Sequence, residues 1–298
     1  MPREVDGIRT DVKQMVIELQ SARVLLRPGR QVDGAECETL SGGISMGPSR
    51  AVRMEPPEVA EPGEYTFVGT LGAIVRDREA GRPMALTNFH VACVNDEWSS
   101  GDRMVQPGRP DGGDPATDEF GSLARAQLSE NIDGAVVLLD EDRPWEAAVV
   151  GVGPVAGAAE AATQMPVQKR GRTTGHTFGT VASTEATLSL DYGDGLGTRT
   201  LRRQIRISTD TARSARFSDG GDSGSVVLDT GGNVVGLLFA GDTEGSTTFA
   251  NPIQAVLDEL AVDLEVDAPA LPQTPSTPET GGCTTNVFIE NVTITVHH

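Results

Sequence analysis

Three short stretches carry residue types that together can turn a hydroxyl into a nucleophile. Leu86-Thr-Asn-Phe-His90-Val-Ala-Cys93 is an apolar run holding a histidine. Asn131-Ile-Asp133-Gly-Ala-Val-Val-Leu-Leu139 sets an aspartate just before a run apolar enough to be buried. Gly220-Gly-Asp-Ser223-Gly-Ser225 places a serine between glycines, ahead of Val226-Val-Leu228. A serine hydroxyl is a poor nucleophile until a neutral imidazole takes its proton during attack. A carboxylate on the other imidazole nitrogen fixes the tautomer and stabilises the imidazolium. Of four histidines, His297 and His298 are the last two residues, which leaves His90 and His176 as internal candidates for the base. His176 lies in a Gly/Thr-rich segment and reads as a turn or pocket-rim residue. Gly221 lets the backbone turn so that the N–H groups of Gly221 and Ser223 converge on one oxygen. Such an oxyanion hole is worth about 3–4 kcal/mol per donor. Gly224 is expected to keep a Cβ out of the path of the substrate.

These motifs resemble those of a known family. LTNFHVAC and GDSGS look like the histidine and serine motifs of chymotrypsin-fold serine proteases, and LTNFHV is especially similar to the bacterial glutamyl endopeptidases. The order His, Asp, Ser matches that clan and differs from subtilisins and α/β-hydrolases. An ordered set extends the likeness over most of residues 3–263: Glu4-Val-Asp-Gly7, Gln106-Pro-Gly108, Asp111-Gly-Gly113, Gly171-Arg-Thr-Thr-Gly175, Leu237-Leu-Phe-Ala-Gly241 and Ala250-Asn-Pro-Ile253. Together these resemble bacterial relatives of the plant narrow-leaf serine protease. The resemblance implies two six-stranded antiparallel β-barrels with the cleft between them. It makes His90 the base, Asp133 the orienting acid, Ser223 the nucleophile, and Gly221 with Ser223 the oxyanion donors. It implies neither a metal nor an organic cofactor. The position that often floors the specificity pocket is Phe217 rather than an acid, so cleavage after Arg or Lys is not expected. Phe239 stands where many relatives carry a serine that supports the catalytic aspartate, so Asp133 needs other donors. Phe217, Phe239 and Gly241 are then the pocket candidates, suited to an apolar or small residue, and the pocket histidine of glutamate-specific relatives has no counterpart. No activation-site motif precedes the first barrel, so Asp222, which binds a freed N-terminus in digestive relatives, needs a different partner.

The elements that must position these groups read mainly as β. Short apolar, β-branched runs such as Leu71-Gly-Ala-Ile-Val75, Ala135-Val-Val-Leu-Leu139, Gln204-Ile-Arg-Ile207 and Val234-Val-Gly-Leu-Leu-Phe239 alternate with Gly, Asp and Pro clusters. Asp191-Tyr-Gly-Asp-Gly195 and Asp229-Thr-Gly-Gly-Asn233 read as hairpin connections. Met15 to Leu25 fits helix or strand equally. Pro252 to Leu264 reads as a helix, with Asn251 as N-cap and Pro252 at the first position. The expected organisation is an N-terminal extension (1–40), a first barrel with His90 and Asp133 (41–160), and a second barrel with closing helix and Ser223 (161–265). A Pro/Thr-rich linker (266–282) and a β-prone tail (283–298) follow.

Composition limits the partners. A formal net charge of −19 over 298 residues argues against nucleic acid or an anionic membrane as a partner, since both call for a basic surface. No run of 18 apolar residues could span a bilayer. The first residues lack the apolar core of a signal peptide, and three cysteines at unremarkable spacing suit reduced thiols. A cytoplasmic protein follows as the expectation. Arg far outnumbers Lys, with Lys13 and Lys169 the lysines present, which suits a GC-rich bacterial source. Asp111, Asp114, Asp118 and Glu119 read as a solvated acidic loop. Residues 284–296 alternate Val292, Ile294 and Val296 with threonines, a pattern suited to β-addition on a partner, to self-assembly, or to folding back on the barrel. The leading expectation is an endopeptidase acting on protein or peptide substrates among specific intracellular targets. The alternative is an inactive protease-fold scaffold that binds peptides and recruits partners through its tail.

Overall fold

The computed structural model describes residues 4–5, 8–9, 16–25, 37–56, 59–193 and 195–266. Residues 26–36 and 267–298, which include all but the first residue of the expected linker and the whole tail, lie outside them. In chain order, β1 (Ile17–Leu19) and β2 (Ala22–Leu25) precede the barrels. The first barrel is built from β3 (Ile44–Pro48), β4 (Gly63–Leu71), β5 (Ala73–Asp77), β6 (Pro83–Thr87), the short β7 (Arg103–Val105), β8 (Glu119–Leu128) and β9 (Asp133–Leu139), with the one-turn helix α1 (Phe89–Ala92) after β6. The second is built from β10 (Pro166–Gly171), β11 (Gly175–Asp191), β12 (Thr198–Thr209), β13 (Val226–Asp229), β14 (Asn233–Asp242) and β15 (Thr247–Pro252). Helix α2 (Ile253–Glu259) and strand β16 (Val262–Leu264) close the described chain.

In the first sheet the neighbours run β5-β6-β9-β8-β7-β3-β4, and the chain passes from β4 to β5 through Gly72 alone. In the second they run β14-β13-β10-β11-β12-β15, and β15 pairs back with β14 to complete a six-stranded barrel. The barrel ladders are antiparallel throughout, and among the described residues no helix is long and apolar enough to cross a membrane.

The unbroken apolar runs follow from burial on both faces of each strand. Side chains alternate along a strand. Ala135 and Val137 enter the first-barrel interior with Leu71, Ile74 and Phe120, while Val136 between them joins the core that the barrels share with α2. Val227 fills the second barrel beside Val167, Val181 and Ile207, while Val226 and Leu228 face that shared core. Each such side chain contributes about 1.5–3 kcal/mol of burial.

Two expectations change. The helix is confined to Ile253–Glu259, with Pro252 rather than Asn251 at its start and no side-chain cap. Ala261, at φ 52°, then turns the chain into β16, which pairs with β5. Asn251 is drawn away to the site described below. The described part of the Met15 to Leu25 stretch, residues 16–25, holds two strands, because two sheets offer it backbone partners: β1 pairs with β14 and β2 with β4. The expected hairpins join β11 to β12 and β13 to β14. In the second, Asp229 Oδ1 accepts from the N–H groups of Gly231 and Asn233, both at 2.8 Å.

Candidate active site

His90 is carried by α1, Asp133 is the first residue of β9, and Ser223 lies in the turn before β13. The fold brings all three together. His90 Nδ1 lies 2.5 Å from Asp133 Oδ2, and His90 Nε2 lies 2.8 Å from Ser223 Oγ. The carboxylate can only accept, so the ring proton sits on Nδ1 and Nε2 is left to accept from the serine. The Phe239 carbonyl, 3.1 Å from Ser223 Oγ, is the competing and longer acceptor. The three residues are buried, with Ser223 and Asp133 at 0% exposure.

Asp133 draws donors from several elements. Its Oδ1 accepts from the His90 backbone N–H at 3.2 Å, and its Oδ2 also accepts from the Tyr192 hydroxyl at 2.9 Å. Tyr192 sits in the β11–β12 hairpin, where Gly193 (φ 61°) turns the chain. Burial and the adjacent carboxylate hold its phenol well above the ordinary range, so it remains a donor. The amide of Asn251 accepts from the Asp133 N–H at 3.2 Å and donates to Gln204 Oε1 at 2.7 Å, which is why it does not cap α2.

The turn that carries Ser223 is shaped by Asp222. Its carboxylate accepts from the backbone N–H groups of Asp219 (3.0 Å), Thr173 (2.8 Å) and Thr174 (3.1 Å), from the Thr174 hydroxyl (2.6 Å), and from Lys169 Nζ at 3.1 Å. Lys169 and Asp222 are both fully buried. Burial pulls the lysine ammonium below its ordinary range, and Asp222 opposes that pull. The partner Asp222 requires is therefore Lys169. Across the barrel seam, Thr70 donates from its hydroxyl to the Gly221 carbonyl (2.9 Å) and from its N–H to the Ser223 carbonyl (2.8 Å).

Gly221 adopts φ 101°, a region that favours glycine, and a Cβ there would lie 2.3 Å from Thr173 Oγ1. Its N–H and that of Ser223 donate to one oxygen, the carbonyl of Gln20, at 2.5 and 3.1 Å. Gly224 has a different purpose from the one expected. A Cβ there would lie 2.1 Å from the Thr70 carbonyl, so it permits barrel-to-barrel contact rather than substrate approach.

Phe217 places its ring in the second-barrel core with Val167, Val181 and Val235. The Phe239 ring packs with Leu190, Tyr192 and Leu201, and only its carbonyl faces the cleft. At Gly241 a Cβ would meet the Gln20 side chain at 2.1 Å, so the two residues lie face to face. His176 stands apart, bonded to Gln168 Oε1 at 2.9 Å and stacked near Phe178. Burial and nearby cations lower its pKa. The acidic loop is only partly solvated: Asp111 is buried and pairs with Arg172, and Glu119 pairs with Arg103 at 2.7 Å.

Two barrels with this cleft have counterparts among solved structures. A protease from Nocardiopsis superposes with a TM-score of 0.53 at 19% identity, covering 76% of this chain and 98% of that one. A glutamic acid specific serine protease described as using a histidine triad in substrate binding gives 0.53 at 16% identity, covering 76% and 100%. An α-lytic protease homologue gives 0.52 at 20%, with the same coverage. The fold is that of the chymotrypsin-like serine proteases. No protein-family model and no curated protein sequence matches the chain.

The roles of Tyr192, Lys169, Asn251 and Thr70 at the site escaped the sequence reading. The available signal was rarity: Lys169 is one of two lysines and Tyr192 one of two tyrosines.

Proposed function

We propose that the chain is a serine endopeptidase. The observation that carries this reading is the ordered contact of Asp133, His90 and Ser223 beside two N–H groups aimed at one oxygen. In the proposed cycle, Ser223 Oγ attacks the substrate carbonyl carbon while His90 Nε2 takes the hydroxyl proton. The oxyanion accepts from the Gly221 and Ser223 N–H groups. The C–N bond breaks as His90 returns the proton to the leaving nitrogen. A water, deprotonated by His90, then releases the acyl group. Asp133 stabilises the imidazolium in both halves, and Tyr192 and Asn251 act as positioning residues through Asp133. A cavity of about 580 Å³ lies beside His90, between Leu19, Ser21 and Arg23 of the N-terminal strands and Phe67, Leu190 and Tyr192, and gives water a route to the triad.

Substrates are proteins or peptides laid as a strand along β14, with the residue before the cut passing over Gly241. That residue is uncharged, because the position that carries an acid in trypsin-like relatives is here Phe217, which packs into the second-barrel core and offers the cleft no charge. We assign the targets to the interior of the cell, where the buried thiol of Cys93 would stay reduced. The ordered motif set supports closer kinship with bacterial relatives of the narrow-leaf protease. The test is covalent labelling by a fluorophosphonate, read by peptide mass. An adduct on Ser223 that disappears in Ser223→Ala and weakens sharply in His90→Ala supports the reading. An unlabelled Ser223 in a chain with its cleft open overturns it.

A further inference from the structure

The strand that fills the cleft belongs to the chain itself. β1 runs antiparallel to β14, pairing Leu19 with Ala240, Glu18 with Gly241 and Ile17 with Asp242. The Val16 carbonyl accepts from the Thr243 N–H at 3.2 Å, and the Gln20 N–H donates to the Phe239 carbonyl at 3.1 Å. The Gln20 carbonyl occupies the oxyanion hole. One residue further on the chain changes barrel. β2 pairs antiparallel with β4, Ala22 with Val68 and Arg23 with Phe67. The Gln20–Ser21 peptide bond is therefore the link between a strand added to the second barrel and a strand added to the first, and it crosses between them at Ser223. Gln20 is only 5% exposed, with its side chain against Gly241. A strap that merely shielded the cleft would not need its carbonyl on two converging N–H groups. A substrate does.

We infer that the chain is its own first substrate and cuts itself between Gln20 and Ser21. The inference rests on the endopeptidase reading above. Ser223 Oγ bonds to the Gln20 carbonyl carbon, His90 takes the hydroxyl proton and passes it to the Ser21 nitrogen, and the Gln20–Ser21 bond breaks. One water then cleaves the acyl-enzyme. The products are a segment ending in the Gln20 carboxylate and a body beginning with the Ser21 amine. The new terminus has no structural task to perform, because Lys169 already neutralises Asp222. The cut instead opens the cleft, since β1 is held by three residue pairs and loses its covalent tether. The same geometry assigns the residue class before the cut: an uncharged side chain that reaches over Gly241, with glutamine as the built-in example.

The test follows intact mass and the N-terminal sequence of the full chain over time, for the unaltered protein, Ser223→Ala, and Leu19→Asp. The last places a charge in the half-buried strand and loosens it from the cleft. Cleavage yielding a Ser21 terminus, at a rate unchanged over a tenfold range of protein concentration and absent in Ser223→Ala, is expected. Labelling of Ser223 by the fluorophosphonate should rise in step with it. An unaltered chain that stays intact, or is cut elsewhere, while Leu19→Asp is labelled on Ser223 overturns self-cleavage and leaves the endopeptidase reading standing. Absence of labelling in Leu19→Asp as well as in the unaltered chain overturns both.

Discussion

Replacing Lys169 with methionine removes the ammonium that pairs with Asp222 and keeps much of the side-chain length. The carboxylate, 0% exposed, would retain three backbone N–H donors, the Thr174 hydroxyl and the field of the nearby Arg172, yet it would lose its buried ion-pair partner. Breaking a buried pair from one side costs about 3–5 kcal/mol. That energy has two outlets. If the turn stays in place, urea unfolding should show the loss directly. If Asp222 swings toward water instead, the Gly221 and Ser223 N–H groups move with it and the oxyanion hole opens. At 1.36 kcal/mol per decade, the competent fraction would fall by about two to four decades. Urea melts together with burst titration by a fluorophosphonate measure both outlets on one preparation. The double variant Lys169→Met/Asp222→Asn buries no charge and should regain most of the lost stability, giving a coupling energy from the cycle. A Lys169→Met chain that loses less than about 1 kcal/mol, the size of an ordinary substitution, and keeps its full active-site titre would refute the claim that this pair builds the site.

Tyr192→Phe deletes the hydroxyl that donates to Asp133 at 2.9 Å. Urea unfolding should show a loss of about 1.5–3 kcal/mol, as for hydrogen bonds to charged groups, with kcat lowered and KM unchanged in steady-state peptide hydrolysis. Asp77 accepts from the Ala80 N–H and from Arg125, and these bonds hold its pKa below the ordinary value. Its contribution is present above that value, near 3.9, and lost as pH falls through the lower folded-state value. Asp77→Asn should therefore be less stable than the unaltered chain at pH 7, the two converging near pH 2 in thermal melts.

Much of the barrel architecture is legible in the sequence because burial on both faces leaves continuous β-branched runs such as Ala135-Val-Val-Leu-Leu139, bounded by turn residues that can take positive φ. The three chemical groups are legible because each sits in a local motif. Their supports are not, for physical reasons. Lys169 meets Asp222 across the sheet, and Tyr192 reaches Asp133 from a hairpin on the other barrel. Neither contact leaves a local pattern. Asn251 carries a strong cap signature before Pro252, but a buried aspartate N–H and Gln204 claim its amide first. Residues 17–25 have too little periodicity to choose strand over helix, and their conformation comes from the sheet edges they meet rather than from propensity.

The most direct test of the central claim is the site of covalent modification after exposure of the full chain and of Leu19→Asp to a fluorophosphonate. The account predicts a single adduct, on the peptide containing Ser223, abolished by Ser223→Ala and strongly weakened by His90→Ala. An adduct on another residue, or none in either chain, would contradict it.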